Sequence, residues 1–196
     1  MRKEGSPETE ASKKLFKLKN IKHSQFESKM ASIEIKFHLN TDSEQQITWE
    51  KYFMAIAIMS AQKSLDKTTK VGTCIVNEYK RIVGIGFNDM PYGLEGDEEL
   101  YGANKHDYVV YSSTNAILNR NCVGLENCTL YTTLFPNSES AKISVQSRIK
   151  KVVYLKEREV KEDKSGASKL MFEKAKIELV KYNDDTSSIT LKFKNN

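Results

Sequence analysis

The stretch that decides the fold is residues 128–155, CTLYTTLFPNSESAKISVQSRIKKVVYL. Cys128–Phe135 is rich in β-branched and aromatic residues, which predicts a strand. Ser138–Ile149 begins with good capping residues and predicts a helix. Lys151–Leu155 is again β-branched and predicts a second strand. A strand, a helix and a strand in this order are typical of α/β proteins with parallel strands.

The same alternation extends in both directions along the chain. The apolar spacing from Trp49 onward predicts a helix with Thr48 as its N-cap. Two β-branched runs joined by the turn Glu78-Tyr79-Lys80 predict an antiparallel hairpin. The other predicted elements are strands at Val71–Asn77 and Arg81–Phe87, helices at Ser112–Asn121 and Ser165–Lys176, and strands at Ile177–Tyr182 and Ile189–Phe193. This order predicts an α/β fold of three layers, α/β/α, around a mixed five-stranded sheet.

The first 45 residues differ in composition from the rest of the chain. They are polar and poor in aromatic residues, so we expect a disordered leader at 1–45 ahead of one domain at 46–196. A net charge of +5 is carried by Ala11–Lys36, which holds seven lysines and two glutamates. Such a segment is typical of nucleic-acid arms and nuclear addresses. Because it has no dense block of Lys and Arg, we favour a solvated leader and do not expect nucleic acid as a partner.

The bulk composition favours an intracellular protein. No apolar run approaches the roughly 20 residues that a membrane span needs, and the N-terminus has no apolar signal core. The three cysteines, Cys74, Cys122 and Cys128, are too scattered for a disulfide framework. We expect a cytoplasmic location, with the nucleus as the alternative, and no membrane partner.

Two short segments stand where helices are predicted to follow strands, which is where α/β proteins bind ligands. They are YSSTNAI at residues 111–117 and PNSES at residues 136–140. Together with WEKYFMAIAIMSAQKSLD, VGTCIVN, IVGIGFNDMPYG and KKVVYL, they resemble deoxycytidylate (dCMP) deaminases in order and spacing, from about Trp49 to Tyr182. The resemblance implies the three-layer fold of the cytidine deaminase superfamily.

That family carries its zinc ligands and catalytic glutamate in the motifs H-x-E and P-C-x-x-C. In this chain those positions hold Tyr111 for the histidine, Ser113 for the glutamate, and Asn137 and Ser140 for the two cysteines. Asn115 and Pro136, which match the family, fix the register. We predict Ser112 or Ser113 as the N-cap of the first motif helix. Asn137 or Ser138 is predicted to cap the second.

The four replacements offer the wrong chemistry for zinc-dependent deamination. Zinc prefers thiolate, imidazole and carboxylate ligands, whereas a phenol, an amide and a hydroxyl present neutral oxygens. A serine hydroxyl cannot act as a general base near pH 7 without a base beside it. We therefore expect no metal, no cofactor, no catalytic residue and no enzymatic activity. A replacement zinc site from His106, Cys122 and Cys128 is the alternative, although these cysteines lack the usual ligand spacing.

Nucleotide recognition is partly retained outside the metal motifs. Asn88 stands at the asparagine of the family's G-Y-N-G motif, which implies contact with a nucleotide sugar and makes it our candidate nucleotide-binding residue. The glycine after it is replaced by Asp89, which adds negative charge. Lys63 and Asp66 lie near the family's nucleotide-contacting loop, or are ordinary charges at a helix end. Two helix starts facing the emptied site suggest weak phosphate binding as a hypothesis, but we favour ordered water there, since Glu139 in the second segment opposes an anion.

Three functions remain open for such a chain. The first is a non-catalytic scaffold or regulatory subunit in nucleotide metabolism or in protein interaction. Because family members are usually homohexamers, the resemblance implies a homo-oligomer or a hetero-oligomer with an active paralogue. The second is an active dCMP deaminase, which hydrolyses dCMP to dUMP, with a non-standard site. The third is a nucleotide- or nucleic-acid-binding module.

Overall fold

The structure is a computed structural model that describes residues 47–97, 99–102, 104–157 and 166–183. The predicted leader and the last predicted strand, Ile189–Phe193, lie outside the described residues and stay predictions. A bilayer-spanning helix, which needs length as well as apolar character, is not found in the described part of the chain.

The described residues form four α-helices and five strands, numbered here in chain order. They are α1 (Trp49–Ala61), β1 (Gly72–Val76), β2 (Ile82–Phe87), α2 (Ser112–Leu118), β3 (Thr129–Leu134), α3 (Ser138–Gln146), β4 (Lys151–Lys156), α4 (Gly166–Lys174) and β5 (Glu178–Lys181). A 3-10 turn at Lys105–Asp107 precedes α2. The predicted N-cap of α1 is confirmed, because the Thr48 hydroxyl accepts a hydrogen bond from the Lys51 backbone N–H at 3.3 Å.

The strands form one five-stranded sheet in the order β2-β1-β3-β4-β5. β1 runs antiparallel to both β2 and β3, and the predicted hairpin is therefore confirmed. β3, β4 and β5 run parallel to one another, with α3 and α4 as the crossovers between them. The sheet is mixed, as predicted from the alternation of strands and helices.

Helices cover both faces of the sheet. On one face, Phe53, Met54 and Ala57 of α1 pack in an apolar cluster with Cys74 and Tyr131. On the other face, α2, α3 and α4 close a second cluster that contains the neighbouring strand residues. Successive strand residues point to opposite faces, so one short strand contributes to both clusters. The predicted three-layer arrangement is confirmed.

α2 lies directly against β2 at the edge where the candidate site begins. A Cβ atom at Gly86 would lie 2.2 Å from the backbone nitrogen of Ala116 and 2.4 Å from the carbonyl oxygen of Ser112. Only glycine permits this approach of helix backbone to strand. The side chain of Asn115 adds a hydrogen bond of 2.8 Å to the carbonyl of Phe87. The start of α2 is therefore fixed closely to the sheet.

The crossover helices end in a left-handed residue that is not glycine. Lys176 has a φ of 56° and Arg148 a φ of 60°. After α4, the N–H of Ile177 donates to the carbonyl of Phe172 at 2.9 Å and that of Lys176 to Glu173 at 3.0 Å. These are the two hydrogen bonds of a Schellman motif. Arg148 closes α3 with the same pattern.

Three predicted helices are therefore too long at their C-terminal ends. α3 stops at Gln146 and not at Ile149, and α4 stops at Lys174 and not at Lys176. α2 stops at Leu118, three residues before its predicted end, because the chain turns and the N–H of Asn121 bonds to the carbonyl of Val83 at 2.9 Å. Helix ends without glycine leave no signal in the sequence.

Substituting Lys176→Gly is expected to stabilise the fold by about 0.5–1 kcal/mol. A left-handed conformation costs a non-glycine residue about 1–2 kcal/mol, and the extra freedom of glycine in the unfolded chain offsets part of that gain. Lys174→Gly, two residues earlier in the last helical turn, is expected to lower stability by up to about 1 kcal/mol. Urea unfolding of both variants tests the assignment, and equal losses would contradict it.

Candidate functional site

The candidate site lies where β2 and β3 end and α2 and α3 begin. Asp89, just beyond β2, forms an isolated antiparallel bridge with Val110, so the chain enters α2 next to the end of β2. α3 begins four residues after Leu134, the last residue of β3, and α2 packs against α3. Two helix N-termini are therefore neighbours at one edge of the sheet, as predicted for the motif segments.

Tyr111 occupies the N-cap position of α2. Its backbone is extended, with φ −70° and ψ 151°, and its side chain makes no capping hydrogen bond. The predicted cap at Ser112 or Ser113 is therefore wrong, because both serines lie inside the first helical turn. The phenol oxygen of Tyr111 lies 3.5 Å from Nδ1 of His106, and the two rings stack with centroids 6.4 Å apart.

The two serines after Tyr111 are buried. The hydroxyl of Ser112 lies 2.9 Å from that of Thr73 on β1, which in turn lies 3.3 Å from the hydroxyl of Thr132 on β3. This row of three buried hydroxyls joins the start of α2 to two strands. Ser113 is 2% exposed.

The first turn of α3 carries the second motif. The side-chain oxygen of Asn137 accepts a hydrogen bond from the backbone N–H of Ser140 at 2.9 Å, which confirms Asn137 as the predicted cap. Ser140 is 4% exposed, and its carbonyl accepts a hydrogen bond from the Ser144 hydroxyl at 2.7 Å. Asn137 and Ser140 therefore lie together in one helical turn, where the spacing C-x-x-C would aim two side chains at one ion.

Metal-ligating side chains do not cluster in the described ranges. No three His, Cys, Asp or Glu residues there are placed to share a metal ion. The thiol of Cys122 lies 3.2 Å from the carbonyl of Gly124. Cys128 is 2% exposed, and burial raises the pKa of its thiol to about 11. His106 contacts Tyr111 instead. The alternative zinc site at His106, Cys122 and Cys128 has no support from this arrangement.

Asn88, the candidate nucleotide-binding residue, is directed into the protein. Its amide nitrogen donates to the carbonyl of Thr69 at 2.9 Å and lies 3.3 Å from a carboxylate oxygen of Asp66. Its amide oxygen accepts from the backbone N–H of Val71 at 2.7 Å. Asn88 is 5% exposed and holds the chain between α1 and β1 in place. Contact with a nucleotide stays a prediction.

Asp66, which the sequence placed only near the family's nucleotide-contacting loop or at a helix end, accepts several hydrogen bonds. Its carboxylate accepts from Lys105 Nζ at 2.8 and 3.0 Å, and from the backbone N–H groups of Thr68 and Thr69 at 2.8 and 3.1 Å. Burial alone would raise the pKa of this carboxyl, but these hydrogen bonds, first of all that of Lys105, lower the pKa to about 2. The pattern D-x-T-T, in which Asp bonds backbone two and three residues on, was the available signal.

Asp89, which stands where the family's G-Y-N-G motif has its last glycine, is held by a hydrogen bond within the protein. Its carboxylate accepts a hydrogen bond from the phenol of Tyr101 at 2.5 Å. Burial and this hydrogen bond raise the pKa of Tyr101 to about 12. The loop between Met90 and Tyr108 is thereby bonded to Asp89 through Tyr101 and to Asp66 through Lys105, and His106 of the same loop contacts Tyr111.

Comparison with known proteins places this arrangement in a family. Residues 47–156, more than half of the chain, match the family described as the cytidine and deoxycytidylate deaminase zinc-binding region. The chain belongs to the cytidine and deoxycytidylate deaminase family. The matched range includes both helix starts of the candidate site.

The similarity to deaminases from animals covers more of the chain than residues 47–156. The human deoxycytidylate deaminase is 36% identical over 157 residues, which cover 76% of this chain and 88% of the human protein. The probable deoxycytidylate deaminase of Drosophila melanogaster is 36% identical over 162 residues, which cover 76% of this chain and 80% of that protein.

Among solved structures, the dCMP deaminase of cyanophage S-TIM5 in complex with dCMP and dUMP superposes with a TM-score of 0.58. Its sequence is 21% identical, and the superposition covers 71% of this chain and 100% of that one. At this level of identity the likeness concerns the fold alone. It confirms the predicted cytidine-deaminase-like fold for the deaminase-family domain.

Proposed function

We propose that this chain is a non-catalytic member of the deoxycytidylate deaminase family. The observation that carries the proposal is the set of side chains at the two neighbouring helix starts, where the family motifs place three zinc ligands and a proton-transferring glutamate. These side chains are Tyr111, Ser113, Asn137 and Ser140.

Their donor atoms do not fit a zinc ion. Zinc in proteins is held by thiolate, imidazole or carboxylate, and at least one of these is anionic in most sites. The set here offers a phenol, an amide and hydroxyls, all neutral near pH 7. The amide oxygen of Asn137 is already bonded to the backbone of Ser140 at 2.9 Å. These donor atoms therefore do not support a metal-dependent reaction step in this chain.

Deamination in this chain would also lack the carboxylate that transfers the proton in the family. Ser113 stands at the glutamate position and is 2% exposed. A hydroxyl needs an adjacent base to accept a proton near pH 7. Loss of both metal ligands and base supports a protein without deaminase turnover.

A scaffold or regulatory subunit is the role that fits such a chain best. The human deoxycytidylate deaminase is 36% identical over 76% of this chain, so the similarity extends far beyond the four motif positions at which the chain departs from the family pattern. Assembly with an active deaminase would need the retained deaminase fold but not the metal site. We propose that the partner is a second copy of this chain or an active paralogue.

The assay that tests the proposal measures dCMP hydrolysis by the purified full chain, alone and mixed with an active deoxycytidylate deaminase from the same source. We expect no turnover above buffer alone. In the mixture, we expect co-elution on size exclusion and a changed kcat or KM of the active protein. Turnover by the chain alone would refute the non-catalytic proposal, whereas absence of co-elution and of any kinetic change would refute the subunit role.

The second candidate function is an active dCMP deaminase with a non-standard site. The observation that favours it is the similarity to proteins named deoxycytidylate deaminase over most of their length. The same assay decides between the two, because this candidate requires dUMP to form from dCMP in the absence of any other protein.

A further inference from the structure

The helical layer formed by α2, α3 and α4 carries a groove on its outer surface. Within this layer α3 packs against both α2 and α4. The groove is open and has a volume of about 630 Å³. All three helices contribute to its walls, and the lining residues include Thr114, Glu139, Lys142, Ile143, Gln146 and Met171.

The groove follows the outer face of α3. Side chains three or four residues apart share one face of a helix. The groove residues of α3 have this spacing, from Glu139 to Gln146. Ala141 and Ser144, which lie between them in the sequence, are both 0% exposed. α3 therefore packs inward with one face and offers the opposite face, which includes the partly buried Ile143, to a partner.

Apolar side chains remain exposed beside this groove. On α4, Phe172 is buried, whereas Leu170 is 54% exposed and its neighbour Met171 lines the groove. On α2, Leu118 shares a helix face with Thr114 and is 64% exposed. A single exposed leucine is ordinary for a soluble protein, but exposed apolar side chains grouped around a groove mark an interaction surface.

The charges around the groove are balanced. Glu139 and Lys142 form an ion pair of 2.6 Å, and both side chains are exposed. On α4, Glu173 and Lys174 follow Leu170 by three and four residues and again provide one acidic and one basic exposed side chain. Such a surface does not favour a partner of one dominant charge, such as nucleic acid. It fits a copy of itself, because each acidic group can face a basic group of the other copy.

We propose that this surface of α2, α3 and α4 binds a second copy of the chain about a two-fold axis, with Leu170 of each copy entering the groove of the other. A two-fold contact uses the same patch twice, so a protruding side chain beside a cavity serves both copies. Leu170 protrudes next to Met171 of the groove wall. This contact, which rests on the proposed subunit role, makes the partner at this surface a second copy and not an active paralogue.

Sedimentation velocity of the full chain over a series of concentrations tests the contact. We expect the wild type to form a dimer or an assembly of dimers. Leu170→Asp is expected to raise the apparent dissociation constant of the dimer at least about 30-fold, because both copies then lose an apolar side chain and must desolvate a carboxylate. The matched control is Leu94→Asp in the loop after β2, where the leucine is 46% exposed. It should leave the dissociation constant unchanged.

Reversal of the charges tests the pairing between the copies. Glu139→Lys gives each copy two like charges at the contact and is expected to weaken the dimer about tenfold. Adding Lys142→Glu restores one charge of each sign and should return the dissociation constant close to that of the wild type. Circular dichroism checks that each variant is folded, and the charge reversal decides alone if Leu170→Asp does not fold.

A wild type that stays monomeric at every concentration would overturn the proposal. So would a folded Leu170→Asp variant that associates like the wild type, an equal loss in Leu94→Asp, or a Glu139→Lys variant with unchanged association. The non-catalytic role fails by a different readout, since turnover of dCMP by the chain alone would refute it whatever the state of association.

Discussion

The combined substitution Tyr111→His, Ser113→Glu, Asn137→Cys and Ser140→Cys is expected to raise the zinc content of the purified protein from near zero to about one ion per chain. The backbone for such a site is present, since Tyr111 precedes α2 directly and Asn137 and Ser140 share the first turn of the adjacent α3. Structural zinc sites with thiolate and imidazole ligands contribute on the order of 10 kcal/mol of apparent binding free energy at neutral pH. That gain far exceeds the roughly 1 kcal/mol lost with the Asn137 cap.

A matched variant separates the metal from the proton transfer. Tyr111→His, Asn137→Cys and Ser140→Cys without the change at Ser113 should bind zinc equally well and show no dCMP hydrolysis, because the base is missing. Metal analysis of both variants, with circular dichroism as the check on folding, gives the result. A folded four-residue variant that stays free of zinc would contradict the placement of these positions at one site.

Asp66→Asn is expected to lower the free energy of unfolding by about 3–5 kcal/mol at pH 7. Asp66 is 3% exposed and carries the negative charge that pairs with Lys105, whose side chain is only 12% exposed. Breaking a buried pair by removing one partner leaves an uncompensated charge, which accounts for the large effect. The same change also perturbs the hydrogen bond from Asn88 and so disturbs the nucleotide-recognition position of the family.

The effect of Asp66 should depend on pH in a defined direction. The pKa of its carboxyl is about 2 in the folded chain and near 4 when unfolded. A depressed pKa contributes stability that is fully present above about pH 4 and is lost as the pH falls toward 2. By linkage this contribution is on the order of 2 kcal/mol. The difference in the free energy of unfolding between wild type and Asp66→Asn should therefore shrink as the pH falls from about 4 toward 2.

Two further variants act as controls for the ion pair. Asp97→Asn removes the charge of an exposed carboxylate in the loop that also carries Lys105. It is expected to change the free energy of unfolding by less than about 0.5 kcal/mol. Adding Lys105→Met to Asp66→Asn removes the unpaired charge and should recover part of the loss. Urea titrations at pH 7 and pH 3 test all four proteins. An Asp66→Asn variant as stable as wild type would show that the pair carries no net stability.

The sheet and its helices were predictable because their signals are local. β-branched runs such as Arg81–Phe87 and the polar cap at Thr48 act through nearest neighbours in the chain. The parallel arrangement of β3, β4 and β5 followed from the helices between them. Helix ends were predicted less well, since Arg148 and Lys176 take left-handed conformations that only tertiary hydrogen bonds enforce.

The candidate site was predictable in position but not in detail. Asn137 caps α3 as predicted because a cap depends on its own helical turn. Ser112 does not cap α2, because Tyr111 takes the N-cap position and Ser112 lies inside the first helical turn. Its hydroxyl lies 2.9 Å from that of Thr73, 39 residues earlier in the chain. The pair of Asp66 and Lys105 spans the same separation, which no local pattern reports.

The zinc content of the native, untagged full chain, purified without chelators and without added metal, tests the central claim most directly. We predict far less than one zinc ion per chain by plasma mass spectrometry, and no dUMP from dCMP in the same preparation. About one zinc ion per chain, lost together with dCMP hydrolysis when a strong chelator is added, would contradict the account, because Tyr111, Asn137 and Ser140 would then hold the metal that their oxygens are argued not to fit.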